Sequence, residues 1–188
     1  MSAPQLERLA AELSELFAES PRPEGKRVAQ LLAGYATSES DWEPWALFTE
    51  GGYTRNRVVR EERFELLLLA WGAGQESPIH NHEGQDCWMG VLSGHIEELR
   101  YPLPAPGSKG PLELRQSQVY APGEVAFIRD EIGLHLVRSA HDAPAVSLHL
   151  YAAPYDHCNV YCPDTGEITR RKLSDYSHRG QLLTQERV

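Results

Sequence analysis

The chain has 188 residues, and 18 Lys and Arg against 27 Asp and Glu give a formal charge of −9. This length suits one domain, and 41% apolar with 24% charged residues is ordinary globular composition that excludes wholesale disorder. The acidic balance offers nothing to nucleic acid or an anionic membrane, and the longest apolar run, Leu66–Trp71, is strand-sized, far short of the roughly 20 residues of a membrane span.

At the N-terminus Glu7, Arg8 and Glu12 interrupt what would be the apolar region of a signal peptide. The first fifty residues read as helical. Leu6, Leu9, Ala10, Leu13, Leu16 and Phe17 recur at three- and four-residue steps, with glutamates between them. Ser20-Pro-Arg-Pro-Glu-Gly25 breaks that helix, and Val28, Leu31, Leu32 and Tyr35 mark a second. Ser40-Asp-Trp-Glu-Pro44 borders a short third one. This unit is expected to cover one side of a sheet and to carry no chemistry.

From Gly51 the pattern changes to short strands: Arg55–Glu61, Phe64–Trp71, Cys87–Leu92, Ile96–Tyr101, Leu112–Tyr120, Val125–Arg129, Leu134–Arg138, Ala145–Ala152, Asn159–Cys162 and Ile168–Leu173. Turn residues separate them, as at Gly72-Ala-Gly74, Ser93-Gly94, Pro122-Gly123 and Asp164-Thr-Gly166, and Pro102–Gly110 is the loop best suited to mobility. Such spacing points to a β-sandwich or barrel. The division expected is a single domain over 1–188, with a helical unit at 1–50, a barrel at 51–175 and a tail at 176–188. Cys87, Cys158 and Cys162 are odd in number and lack zinc-site spacing, which suits a reducing cytoplasm. No extended apolar stripe is left over, so a monomer is expected.

His80-Asn81-His82 is the first informative motif. Residues i and i+2 of a strand share a face, so two imidazoles could converge on one metal ion. Around it stand Gly74, five residues, the His pair, four residues, Cys87, six residues and Gly94. This resembles the first motif of the cupins, with Cys87 where a glutamate ligand usually stands. Pro122-Gly123…Gly133-Leu-His135 resembles the second cupin motif, one residue short of its common spacing, and that resemblance makes His135 the third ligand. Three neutral imidazoles would leave a divalent metal its full +2 charge and favour a soft anionic ligand such as a thiolate. Cobalt, nickel or zinc would accept the same ligands, so the ligand set alone does not choose iron. Ser147, His149 and Tyr151 alternate along one strand and share a face, which by itself is a polar strand face.

Tyr53-Thr-Arg-Asn56, Ser77-Pro-Ile-His-Asn-His82 with Cys87, Ile132-Gly-Leu-His135 and Ser147-Leu-His-Leu-Tyr151 together resemble cysteine dioxygenase, a non-haem iron cupin. The resemblance runs from about Tyr53 to about Cys158, with a weaker echo in the helical region. It implies a cupin β-barrel with an N-terminal helical unit and iron(II) held by His80, His82 and His135. It implies oxidation of L-cysteine with O2 to cysteine sulfinic acid, a step of cysteine catabolism, with the substrate thiolate and amine on the metal. Arg55 would bind the substrate carboxylate through its paired donors, with the Tyr53 hydroxyl nearby. Ser147, His149 and Tyr151 would form a hydrogen-bonded relay aiming the phenol at substrate and oxygen. Cys87 and Tyr151 match the pair joined by a thioether in the animal enzymes. Cys158 matches a family cysteine near the pocket mouth, Cys162 has no assigned part, and Trp71 and Trp88 read as core.

One departure stands out. The animal enzymes follow the relay tyrosine with Ser-Pro-Pro and a cis peptide before the first proline. Here the run is Tyr151-Ala-Ala-Pro154, and a trans Ala–Ala bond is expected because the cis form costs roughly 3–4 kcal/mol. The competing functions are a related dioxygenase of 3-mercaptopropionate or cysteamine, and a non-catalytic metal-binding cupin. Arg55 separates the thiols: relatives specific for mercaptopropionate tend to carry Gln there, and cysteamine has no carboxylate.

Overall fold

A computed structural model of the chain describes residues 2–38, 40–105 and 107–183. Two helices come first, α1 (Pro4–Glu19) and α2 (Gly25–Thr37), followed by a single 3₁₀ turn at Glu43–Trp45. Pro4 sits at the first turn of α1, where its missing N–H goes unneeded. The Asp41 carboxylate accepts from the free backbone N–H groups of Gln5 (2.8 Å) and Leu6 (3.0 Å), so a distant side chain caps the helix.

Thirteen strands follow among the described residues: β1 (Thr54–Arg60), β2 (Glu65–Trp71), β3 (Ile79–His80), β4 (Asp86–Ser93), β5 (Ile96–Tyr101), β6 (Gln116–Tyr120), β7 (Val125–Ile128), β8 (Leu134–Ser139), β9 (Ala145–Ala152), β10 (His157–Tyr161), β11 (Ile168–Lys172), β12 (Ser177–His178) and β13 (Gln181–Leu182). They form a seven-stranded sheet in the order β13-β12-β1-β2-β9-β4-β7 and a six-stranded sheet in the order β11-β10-β3-β8-β5-β6. This is the cupin barrel with helices at its N-terminus.

The larger sheet is buried on both faces. Leu66, Leu68, Trp88, Leu148 and Leu150 turn outward into a cluster with Leu6, Leu13, Phe17, Val28 and Leu32 of the helices. Leu67, Leu69, Trp71, Met89 and Val91 turn inward, with Ile96, Ile128 and Val137. A strand covered on both faces needs no polar side, which explains the unbroken apolar run of β2. Each fully buried Leu contributes about 1.5–3 kcal/mol. On β9 the same alternation sends Val146, Leu148 and Leu150 to the helices and Ser147, His149 and Tyr151 into the barrel.

Two glycines fix the ends of the strands that matter. Gly94 has φ +68°, and a Cβ there would strike the backbone of Pro144. Gly133, two residues before His135, has φ +145°, and a Cβ would strike the Tyr101 carbonyl.

Four expectations are corrected. The strand expected from Leu112 begins at Gln116; Leu112 and Arg115 instead donate single backbone hydrogen bonds to Pro163 and Arg100, and Leu114 is exposed. The tail from 176 is part of the barrel: β12 pairs parallel with β1, and Tyr176 N–H donates to the Arg55 carbonyl at 2.7 Å. Residues 184–188 of that tail, and Pro106 of the 102–110 loop, lie outside the described residues. The Ala152–Ala153 peptide is cis, not trans. The trans preference holds for an unconstrained bond, whereas here Ala152 pairs with Asp86 on β4 and Ala153 N–H donates to the Gln85 side chain. Lastly, β3 ends at His80, so only the first of the two motif histidines lies on a strand. No helix among the described residues is long and apolar enough to cross a membrane.

Candidate active site

The two sheets divide the site between them. The smaller sheet supplies the histidines. His80 on β3 pairs directly with His135 on β8, so their rings leave the sheet side by side, with centroids 4.7 Å apart. His82 lies beyond the strand and is aimed by other means. The Asp130 carboxylate accepts from the backbone N–H of His82 (2.7 Å) and of Gly84 (2.8 Å), while Asn81 exchanges backbone and side-chain bonds with Asn159 on β10. This brings the His82 ring within 5.1 Å of His80 and 4.7 Å of His135. One ligand atom from each ring lies within 4.8 Å of the others.

Hydrogen bonds select which nitrogen of each ring is left. His80 Nδ1 lies 2.9 Å from the Pro78 carbonyl, and His135 Nδ1 lies 2.8 Å from the Glu98 carboxylate. Both partners only accept, so each Nδ1 carries a proton and Nε2 is the nitrogen left for another partner. Burial, with His135 adding, pushes His80 down to about 3 and His82 well below its ordinary value, so these rings are neutral. His82 is fully buried, and neither of its ring nitrogens has a hydrogen-bond partner among the described residues. Orphan nitrogens of this kind cost about 1–3 kcal/mol each unless something fills them. Three imidazoles converging around such an orphan fit a divalent metal ion.

Glu98 is itself buried, on the inward face of β5 with Ile96. Burial pushes its carboxyl up, but the hydrogen bond from His135 and the Arg100 guanidinium at 2.8 Å together hold it below its ordinary value. Tyr120 Oη donates to it at 3.2 Å.

The larger sheet supplies the remaining groups. Arg55 on β1 is buried, with its guanidinium 5.6 Å over the Tyr151 ring and 3.5 Å from both Glu65 and Asp175. Burial opposes its charge, but the Glu65 carboxylate beside it favours it, and the guanidinium stays protonated. Tyr53 stacks on Trp71 at 4.5 Å. Ser147 Oγ lies 2.9 Å from His149 Nε2, and His149 Nδ1 lies 3.3 Å from Tyr151 Oη. Burial pushes the Tyr151 phenol well up, so it is a protonated hydroxyl. Cys87 on β4 faces Tyr151 across the ladder and is buried behind it.

Tyr53, Arg55, His80, His135, His149 and Tyr151 line one small cavity of about 40 Å³. His82 joins through the other two histidines, and Ser147 and Cys87 stand behind His149 and Tyr151. The structure thus brings all nine residues singled out in the sequence to one place. Cys158 lines the same cavity, as expected, while Cys162 lines a separate outer groove. Trp88 is core beneath α2, but Trp71 is both core and cavity wall. Five groups were missed. Tyr155 sets its ring edge against Tyr151 and follows an irregular segment with no periodicity to mark it. Glu98 shares the inward face of Ile96, a signal that was available. Glu65, Asp130 and Asp175 act through backbone or ion pairs that only the fold assembles.

The family model for type I cysteine dioxygenase matches residues 1–163. Cysteine dioxygenase type 1 of Danio rerio is 32% identical over 188 residues, covering 99% of this chain and 93% of the relative. That of Rattus norvegicus is 33% identical over 170 residues, covering 89% of this chain and 84% of the relative. Among solved structures, the protein TT1209 from Thermus thermophilus superposes with a TM-score of 0.48 at 25% identity, over 61% of this chain and 95% of its own. The extent of the family match, over the same residues that build the three-histidine cavity, places this chain in the type I cysteine dioxygenase family.

Proposed function

We propose that this enzyme is an iron(II)-dependent dioxygenase that converts L-cysteine and O2 to cysteine sulfinic acid. One observation carries the reading: a buried guanidinium lines the same small cavity as His80 and His135, two of three convergent imidazoles. A ligand with a soft anion at one end and a carboxylate at the other matches that pair of partners. Bound iron(II) supplies the redox chemistry that brings dioxygen to a thiolate.

The chain's own residues do the rest. His80, His82 and His135 would hold the metal and add no negative charge to it, which favours a thiolate partner. Arg55 binds and orients the carboxylate. Tyr151 presents a phenol proton at the cavity, held by His149 and Ser147 from behind. Trp71, Val137 and Leu69 give the cavity apolar walls that exclude water. The test is to load the protein with iron(II) without oxygen, then to compare oxygen uptake and products for L-cysteine, 3-mercaptopropionate and cysteamine. Sulfinate from cysteine in preference to the other two supports the reading. Preference for either other thiol reassigns the substrate, and no uptake with any of them makes the chain a binding cupin.

A further inference from the structure

Trp71 stands on the inner face of β2, across the ladder from β9. Its ring is buried, stacked on Tyr53, and its indole nitrogen lies 2.9 Å from Ser147 Oγ. An indole N–H only donates, so Ser147 Oγ accepts this bond. Ser147 is fully buried, and its hydroxyl contacts two hydrogen-bonding groups among the described residues, Trp71 Nε1 and His149 Nε2. The Ser147 proton therefore has one acceptor in reach, His149 Nε2. If Nε2 carried a proton of its own, in the other tautomer or in an imidazolium, the serine proton would be buried without a partner. The arrangement that gives the Ser147 proton its acceptor leaves Nε2 bare and puts the imidazole proton on Nδ1. Nδ1–H then donates to Tyr151 Oη, and the phenol's own proton turns away from His149 toward the cavity.

We propose that Trp71 is the positioning residue that sets the direction of the Trp71–Ser147–His149–Tyr151 chain, so that Tyr151 donates into the cavity and not back to His149. The use made of that proton rests on the thiol dioxygenation proposed above, but the proton order does not. Tyr53, packed flat on the indole, fixes the plane in which the N–H points. Without the indole N–H, Ser147 Oγ could accept from His149 Nε2–H, and the phenol could turn its proton onto Nδ1. The chain would then run either way.

The test is the tautomer of His149, read from long-range proton–nitrogen NMR of the full chain holding zinc(II), a diamagnetic occupant. A His149→Gln variant assigns the signal. The wild type should give a neutral ring protonated on Nδ1; a ring protonated on Nε2, or on both nitrogens, overturns the proposal without any variant. Two substitutions then address Trp71: Trp71→Phe, and incorporation of benzothienylalanine, which keeps the ring's shape and stacking but replaces N–H with sulfur. In either, the tautomer should become mixed or reversed. With iron(II) bound, kcat for cysteine should fall about five- to tenfold, the worth of one hydrogen bond, with KM within about twofold. An unchanged tautomer in the isostere assigns Trp71 to packing alone and overturns the proposal. If no thiol is oxidised at all, the functional reading fails while the tautomer still decides this one.

Discussion

Cys87 on β4 and Tyr151 on β9 are direct antiparallel partners, both turned into the barrel behind the three histidines. Opposed residues of an antiparallel pair bring their Cβ atoms to about 4.5–5.5 Å, within reach of a bond from sulfur to a ring carbon. Burial pushes the Cys87 thiol well up, so it rests as a neutral thiol rather than an exposed nucleophile. Turnover with O2 as oxidant should join Sγ to the ortho carbon of Tyr151. One hydrogen leaves from each partner, and O2 takes up the two electrons. The bond would remove the phenol's rotamer freedom before reaction. Intact mass after turnover should include a species two hydrogens lighter, with the Cys87 and Tyr151 peptides joined and resistant to reductant. Cys87→Ser should lack it. Unchanged mass in the wild type after many turnovers means that Tyr151 works as a free phenol.

The barrel was legible because its strands are half-polar or wholly apolar runs between turn residues, and Ser147-Leu-His-Leu-Tyr151 marked its inward face by alternation alone. What escaped had no local mark. Trp71 ends a run buried on both faces, where nothing in the pattern distinguishes a packing tryptophan from one that donates to Ser147. Strands β12 and β13 have two residues each, too few for any period, and are held by pairing to β1. His82 reaches the cluster by a route other than the one expected from the sequence. Strand alternation would have aimed it, yet β3 has already ended, and Asp130, 48 residues away, does the aiming.

That dependence gives a second prediction. Asp130→Ala removes both backbone bonds that Asp130 accepts from the His82–Gly84 turn, while leaving His80 and His135 on their paired strands. Metal affinity should fall about 10- to 100-fold, the usual cost of losing a group that orients a ligand. Asp130→Asn keeps one side-chain oxygen to accept from a backbone N–H and should fall less. Titration of the metal-free chain with iron(II) or cobalt(II) measures this directly. Equal affinity in Asp130→Ala and wild type would mean that the turn holds itself.

The helical unit should affect stability without affecting chemistry. Leu32 on α2 is fully buried and packs over Gly90 of β4, on the face of the larger sheet away from the cavity. Leu32→Ala should cost about 2–5 kcal/mol in denaturant unfolding, from lost transfer energy and the void left behind. Below its unfolding transition, kcat/KM for cysteine should match the wild type. A large loss of activity in the folded variant would tie the helices to the site.

Substrate choice is expected to turn on Arg55, and its setting sharpens the expectation. The guanidinium sits between Glu65 and Asp175, each at 3.5 Å, and its Nε has no hydrogen-bond partner among the described residues. These contacts are long for charge-assisted hydrogen bonds, so they hold the guanidinium without saturating it. A substrate carboxylate can therefore still gain a close pair, worth on the order of 1.5–3 kcal/mol. Arg55→Ala should lower kcat/KM for L-cysteine about tenfold to a hundredfold, at 1.4 kcal/mol per decade. 3-Mercaptopropionate, which also carries a carboxylate, should lose a similar factor, and cysteamine should lose little. Arg55→Lys keeps the charge but not the planar fork and should fall between wild type and Arg55→Ala. Steady-state rates with the three thiols decide it. Equal losses for all three would mean that Arg55 serves only to neutralise Glu65 and Asp175, and that the carboxylate is read by some other group.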